Sequence, residues 1–268
     1  MDILFGEKLE RLEAAVTRLL RDEPGFFAIA VQDLHTNQFW QFRSQPMRSA
    51  SLIKLFIMAE AFAQIEAGQL NPADRLAFAE SDRVGGAGLL QELPAGTSRT
   101  LLELIELMIT ESDNIATNLL IDCLGMDKIN ARIRALDCQD SVLRRKMMDF
   151  AAAAAGQENL TSVVDATNFL ALLKQGLCLN STRDRQMCEI LERQTDRCKI
   201  PLLLPPDTVC QHKTGELPGA EHDAGIVIAP GCAYVLAIMS DNLPDSARGC
   251  QTIAEISRTV YECMTANQ

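Results

Sequence analysis

Aromatic residues make up only 5% of this sequence, which has one tryptophan and three histidines, and no apolar run approaches the length of a membrane-spanning helix. His35, His212 and His222 do not fall at a metal-ligand spacing, and the nine cysteines never form a Cys-x-x-Cys pattern. No metal or other cofactor is therefore expected. Basic runs are also missing: 25 Lys and Arg stand against 36 Asp and Glu, for a net charge of −11, which argues against nucleic acid or an anionic membrane surface as a partner. Gly85-Gly86-Ala87-Gly88 lacks the Lys-Ser/Thr sequel of a phosphate-cradling loop, and there is no Gly-x-Ser-x-Gly elbow. The partner these absences leave is a small molecule.

What is present is ordinary globular composition. With 268 residues, 47% of them hydrophobic and 23% charged, the chain has enough apolar surface to bury a full core. Met1 to Lys8 lacks a basic start followed by a long apolar segment, and the cysteines read as reduced thiols used as small core residues. A cytoplasmic protein is the expectation, or a secreted one if a leader precedes this sequence.

Periodicity sets the elements. Leu9, Leu12, Val16, Leu19 and Leu20 recur at helical spacing before the turn signal Asp22-Glu23-Pro24-Gly25. Phe26 to Val31 and Gln38 to Phe42 read as a β-hairpin. A helix from Ser51 to about Ala67 closes at Gly68, and a long irregular stretch follows through Gly88. Thr100-Leu101-Leu102-Glu103 has the form of a capping box and starts a helix to Glu111 that stops at Ser112-Asp113-Asn114. Further helices are predicted over Ile115 to Leu124, Met126 to Leu136, Val163 to Leu173 and Thr182 to Glu192, while the alanine run to Ala155 fits a helix or a collapsed loop. Strands are predicted at Val209 to Thr214, Gly225 to Ile228 and Ala233 to Met239, with a closing helix from about Ser246 to Met264.

The economical assembly is an α/β fold with an all-α lobe. Both chain ends, 1–46 and 200–268, build one antiparallel sheet flanked by helices, and 47–199 form an inserted helical lobe. A crevice between the two is the natural pocket.

Ser51 and Lys54 lie three positions apart on a helix whose other residues are mostly apolar. That spacing puts hydroxyl and amine on one face, and burial makes a lysine a better proton acceptor near neutral pH. The same letters also fit a capping serine and a lysine whose stem lies along the core while its amine reaches water. Two later stretches bear on the choice: Ser112-Asp113-Asn114, which interrupts one helix and starts another, and Lys213-Thr214-Gly215 on a late strand. Each has a plain reading by itself, as an interhelical turn and as a strand end.

Taken in this order, Ser51/Lys54, Ser112/Asn114 and Lys213/Thr214/Gly215 resemble the motif trio of the class A β-lactamases and their penicillin-binding relatives. The resemblance runs from about Phe26 to the closing helix and implies a β-lactamase-like fold. It further implies a serine hydrolase that opens a β-lactam amide through an acyl-enzyme on Ser51. Lys54 would take the Ser51 proton, and the backbone N–H groups of Ser51 and Glu216 would form the oxyanion hole. Ser112 would protonate the leaving nitrogen, with Lys213 lowering the pKa of that hydroxyl and attracting the substrate carboxylate. Asn114 would bind the substrate's side-chain amide and Thr214 its carboxylate, with Gly215 allowing close approach. Asp113 would tie the turn together.

Three departures accompany the resemblance. The glutamate that the family uses to activate the deacylating water falls at or near Met147, which cannot accept a proton. Asp149 is the nearest carboxylate and the candidate replacement, its other role being to pair with Arg144 or Arg145. The family's arginine near the substrate carboxylate is not evident, since Glu221-His222-Asp223 stands in that region, and Glu216 places a negative charge beside the oxyanion hole. A D-alanyl-D-alanine peptidase or esterase-like relative, or a penicillin-binding protein that deacylates slowly, is the alternative.

Overall fold

The computed structural model describes residues 3–266. In chain order the elements are α1 (Ile3–Leu19), β1 (Phe26–Asp33), β2 (Phe39–Phe42), β3 (Met47–Arg48), a 3-10 turn (Ala50–Ile53), α2 (Lys54–Glu66), β4 (Arg75–Ala77), β5 (Ser98–Thr100), α3 (Leu101–Thr110), α4 (Asn114–Leu124) and α5 (Met126–Ala135). They continue with α6 (Phe150–Ala154), β6 (Leu160–Thr161), α7 (Val163–Gln175), α8 (Ser181–Glu192), β7 (Val209–Leu217), β8 (Ala220–Ala229), β9 (Cys232–Asp241) and α9 (Ser246–Thr265).

The main sheet has the order β2-β1-β9-β8-β7 and is antiparallel throughout, so the first and last thirds of the chain share it. Alternation along the strands sorts two cores. Phe27, Ile29 and Val31 of β1 join Tyr234, Leu236 and Ile238 of β9 under α1 and α9, where Leu12, Val16, Ile253, Ile256 and Val260 pack on them. On the other face, Ala28, Ala30, Ala224, Ile226, Val235, Ala237 and Met239 join the core of the helical segment. Small residues on that face let helices approach closely, and α7 lies across β1, β8 and β9. A helix from the middle of the chain thus covers the sheet directly.

At the centre of the helical segment, every residue of α2 from Lys54 to Ile65 is buried. A helix apolar on all sides must be enclosed on all sides, and α3, α4, α5 and α8 surround it. The capping box forms as the sequence predicts: the Thr100 hydroxyl accepts from Glu103 N at 3.2 Å, and Glu103 accepts from Thr100 N at 2.6 Å. The alanine run is helical, in the short α6.

The strands β1, β7, β8 and β9 all exceed their predicted lengths, and two of the extensions border the site. β7 continues through Glu216 and Leu217, and β8 begins at Ala220 rather than Gly225, with Gly219 (φ +74°) making the tight turn between them. Polar Glu221, His222 and Asp223 conceal this strand in the sequence, yet all three are buried because each finds a partner: Lys199, the Arg48 carbonyl and His212 respectively. The nine cysteines are free thiols, five of them buried.

Candidate active site

Ser51 sits in the 3-10 turn that feeds α2. The turn is entered through Ala50 in the left-handed region (φ +46°), a strained conformation for a residue with a Cβ, and such strain concentrates at sites that need a fixed geometry. Strand β7 runs alongside. A Cβ on Gly215 would come within 3.1 Å of the Ala50 Cβ and 3.3 Å of Ser51 N, so glycine lets this strand edge approach the nucleophile's backbone without displacing it. Amides in the first turn of a helix lack intrahelical acceptors, which leaves the Ser51 N–H available on that side.

Ser112 occupies the break between α3 and α4 and is likewise left-handed (φ +54°). Asp113 ties this break: its carboxylate accepts from Ala116 N at 2.9 Å, capping α4, and from Leu90 N at 2.8 Å. Gly88 (φ +133°) passes so close that a Cβ there would collide with the Asp113 carboxyl, which fixes the neighbouring loop over the cleft. Ser112 Oγ lies 2.8 Å from Ser51 Oγ.

Both lysines converge on that hydroxyl. Lys54 Nζ is 2.8 Å from the Ser112 carbonyl, 3.1 Å from Ser112 Oγ and 3.0 Å from Asn114 Oδ1. Lys213 Nζ donates to Ser112 Oγ at 3.2 Å and to the Thr214 carbonyl at 2.9 Å. The i, i+3 spacing predicts a direct Ser51–Lys54 contact; instead Lys54 reaches Ser51 through Ser112. The positive charges are expensive here. Lys54 is fully buried, and burial followed by the nearby Lys213 holds its pKa well below the ordinary lysine value. Burial likewise lowers Lys213 to about 7, the carboxylate of Asp223 opposing the shift.

A cleft of about 790 Å³ opens above this cluster, lined on its working edge by Ser51, Ser112, Asn114, Thr214, Gly215 and Glu216. Apart from Asp149, the residues expected to act on substrate line it or, like Lys54 and Lys213, lie beneath it. Asn114 is held from both ends of its amide, Nδ2 donating to the Gly85 carbonyl at 3.2 Å. His212, next to Lys213 on β7, points away and is fully buried against Asp223 at 2.9 Å. His222 accepts at Nδ1 from Ser240 N and donates from Nε2 to the Arg48 carbonyl, and burial keeps it neutral, with a pKa lowered to about 4.

The expectation for Asp149 needs correction. It is exposed, lies outside the cleft lining and spends its carboxylate on capping α6 through Ala152 N at 2.9 Å. It pairs with neither arginine: Arg145 is clamped by Glu158 at 2.6 Å, which closes the loop between them. Met147 faces the cleft at 7% exposure, its backbone held by both ends of the Asn118 amide at 2.8 and 3.1 Å. Sequence reasoning missed the Arg145–Glu158 clamp, whose partners share no motif. Asn118 was within reach, since it stands four residues after Asn114 on the same helix face.

Among the described residues no group of His, Cys, Asp and Glu could hold a metal, and no helix is long and apolar enough to cross a membrane.

Comparison with known proteins places this geometry. The profile of the β-lactamase enzyme family matches residues 11–264. β-Lactamase AST-1 of Nocardia asteroides is 29% identical over 78% of this chain and 72% of its own length. Among solved structures, a β-lactamase from Sphaerobacter thermophilus superposes with a TM-score of 0.90 at 29% identity, covering 97% of this chain and 98% of that one. PBP-A matches with a TM-score of 0.87 at 26% identity over 94% of this chain and 95% of that one, and a mutant of PBP-A is an acyl-enzyme complex with penicillin G.

Proposed function

The chain belongs to the β-lactamase enzyme family, and on that premise we propose that it is a serine hydrolase that opens the β-lactam amide through an acyl-enzyme on Ser51, with deacylation as its slow step. The observation that carries this reading is the hydrogen-bonded line from Ser51 through Ser112 to two buried lysines at the floor of an open cleft.

A neutral Lys54 has two N–H donors and one lone pair. The Ser112 carbonyl and Asn114 Oδ1 take the donors, which leaves the lone pair for the Ser112 hydroxyl at 3.1 Å. With Lys54 neutral, the hydrogens along the line reverse: Ser51 donates to Ser112 and Ser112 donates to Lys54. Attack by Ser51 Oγ on the lactam carbonyl then sends the Ser51 proton through Ser112 to Lys54. The developing oxyanion faces the N–H groups of Ser51 and Glu216. Collapse breaks the C–N bond, and the proton returns through Ser112 to the leaving nitrogen. Asn114 and Thr214 orient the substrate from opposite walls.

Release of the acyl group requires an activated water. Met147 offers a thioether where a base is needed, and Glu158, the lining carboxylate that closes the same loop, is occupied by Arg145 and by Asn159 N. Met147 therefore favours a second reading, a penicillin-binding or peptidase-like enzyme that β-lactams acylate and hold. Mixing enzyme with excess chromogenic cephalosporin separates the cases. The proposal expects a burst of about one equivalent followed by slow steady turnover, both lost in Ser51→Ala. A burst with no later turnover favours the second reading, and absence of any Ser51-dependent colour change refutes both.

A further inference from the structure

The charge around the cleft does not suit an anionic substrate. Its charged lining consists of Glu111, Glu158, Asp196 and Glu216 against Arg145, which is already paired with Glu158; Lys54 and Lys213 lie buried beneath the lining with their amines on Ser112, and burial lowers the pKa of both. At the end bordered by β7 and β8 the balance is more negative still. Glu216 stands opposite Glu221 in the β7–β8 register. Lys199 is the cation beneath them, and its amine is 3.1 Å from both Asp196 Oδ2 and Glu221 Oε2, so one ammonium serves two carboxylates before Glu216 is counted. Arg48, on the far side near Pro218, is paired with Asp241 at 2.6 Å. Glu216 itself is exposed on the cleft wall, and no ion pair or hydrogen bond among the described residues engages its carboxylate.

From this geometry we infer that the cleft selects acyl donors that are uncharged or cationic where they lie against Thr214 and Glu216, and that the Glu216 carboxylate is the residue that selects them. The inference rests on acylation of Ser51 and names the class of donor that does it best. A carboxylate at that end would lie within several ångströms of Glu216 in a partly desolvated groove. At a separation of about 6 Å and an effective dielectric of about 20, one like charge slows productive binding by up to roughly a hundredfold, which screening by salt brings to about tenfold. An ester or amide at the same place escapes the repulsion, and an ammonium group gains the corresponding attraction. The acid at position 216 also flanks the proposed oxyanion N–H, so the charge acts on the group that approaches Ser51 rather than on distant parts of the substrate.

The test uses three forms of one chromogenic cephalosporin: the free carboxylate, its methyl ester, and an amide bearing a tertiary amine. Second-order rate constants for Ser51 acylation are measured by stopped flow and intact mass for the wild-type chain and for Glu216→Gln. The expected wild-type order is amine, then ester, then carboxylate, and Glu216→Gln raises the carboxylate-to-ester rate ratio about tenfold. In the wild type, added salt should raise the same ratio through screening, a reading independent of the variant. Ser51 adducts that form with a wild-type preference for the carboxylate, or with ratios unmoved by both Glu216→Gln and salt, overturn the inference and leave the acyl-enzyme reading intact. Failure of all three donors to label Ser51 overturns both.

Discussion

Ser112 Oγ stands 2.8 Å from Ser51 Oγ and 3.1 Å from Lys54 Nζ, so the base of this site reaches the nucleophile through a second hydroxyl. Removing that hydroxyl interrupts the only hydrogen-bonded line to Ser51 among the described residues. Ser112→Ala should slow acylation by roughly 10²- to 10⁴-fold, the usual contribution of a positioned proton carrier. Because Ser112 holds the α3–α4 break mainly through its backbone, circular dichroism and urea midpoint should change little. Acylation within threefold of wild type would remove Ser112 from the proton path.

Lys54 acts as a neutral amine in this scheme. Lys54→Arg introduces a guanidinium that stays protonated at all working pH values and cannot accept the Ser51 proton. Labelling of Ser51 by a reactive β-lactam should fall below detection over an hour in intact-mass spectra. A variant that still labels at a tenth of the wild-type rate would show that charge at this position, rather than basicity, is what matters.

The loop that carries Met147 governs deacylation. Met147→Glu places a carboxylate on the cleft wall at a position whose backbone Asn118 already fixes. Deacylation should accelerate by about a hundredfold, the low end of general-base effects, while acylation changes little. Chase experiments on the preformed adduct read the deacylation rate alone. An unchanged adduct lifetime would mean that water does not reach the acyl carbonyl from this wall.

Glu158 closes the same loop by binding a buried guanidinium at Nε and Nη2. Glu158→Ala should cost about 1.5–3 kcal/mol, the range for charge-assisted hydrogen bonds, with the unpaired Arg145 as the cause. Urea denaturation would measure the loss. Protease cleavage within residues 146–157 should also quicken, and a loop equally resistant in both proteins would contradict the clamp.

Stability should rise with pH from about 4 to about 9. His222 has a folded pKa lowered to about 4, below the ordinary 6.5, so the unfolded chain binds more protons between those values and stability climbs through that window. Lys213, lowered to about 7 from 10.5, adds a climb that begins near 7. Buried Cys138, Cys178 and Cys210, raised to about 12 from 9.0, act oppositely: the unfolded thiols lose protons first, and stability falls above about 9. Urea midpoints from pH 4 to 10.5 give the profile directly, and a maximum at pH 6 or below would contradict these burials.

Much of this was legible because local rules governed it. The Thr100–Glu103 capping box, the Gly68 helix stop and the alternating strands of β1 and β9 follow from short-range chemistry, and the site residues follow from three motifs in order. Other features depended on partners distant in the chain. The first half of β8 looks too polar for a buried strand until Lys199, Arg48 and His212 supply its partners. Asp149 looked like a spare base because the sequence leaves the alanine run open between helix and loop, and only the helix takes its carboxylate as a cap. The spacing of Ser51 and Lys54 gave a shared face correctly. It could not reveal that a left-handed Ser112 would turn both its carbonyl and its hydroxyl toward the lysine.

The most direct test of the account is intact-mass spectrometry of the protein mixed with a cephalosporin and sampled from seconds to hours, with peptide mapping of any adduct and Ser51→Ala alongside. The account predicts one adduct per chain on the peptide carrying Ser51, formed quickly, decaying slowly as hydrolysed product accumulates, and absent from Ser51→Ala. Label on another residue, or product released without any intermediate on Ser51, would contradict it.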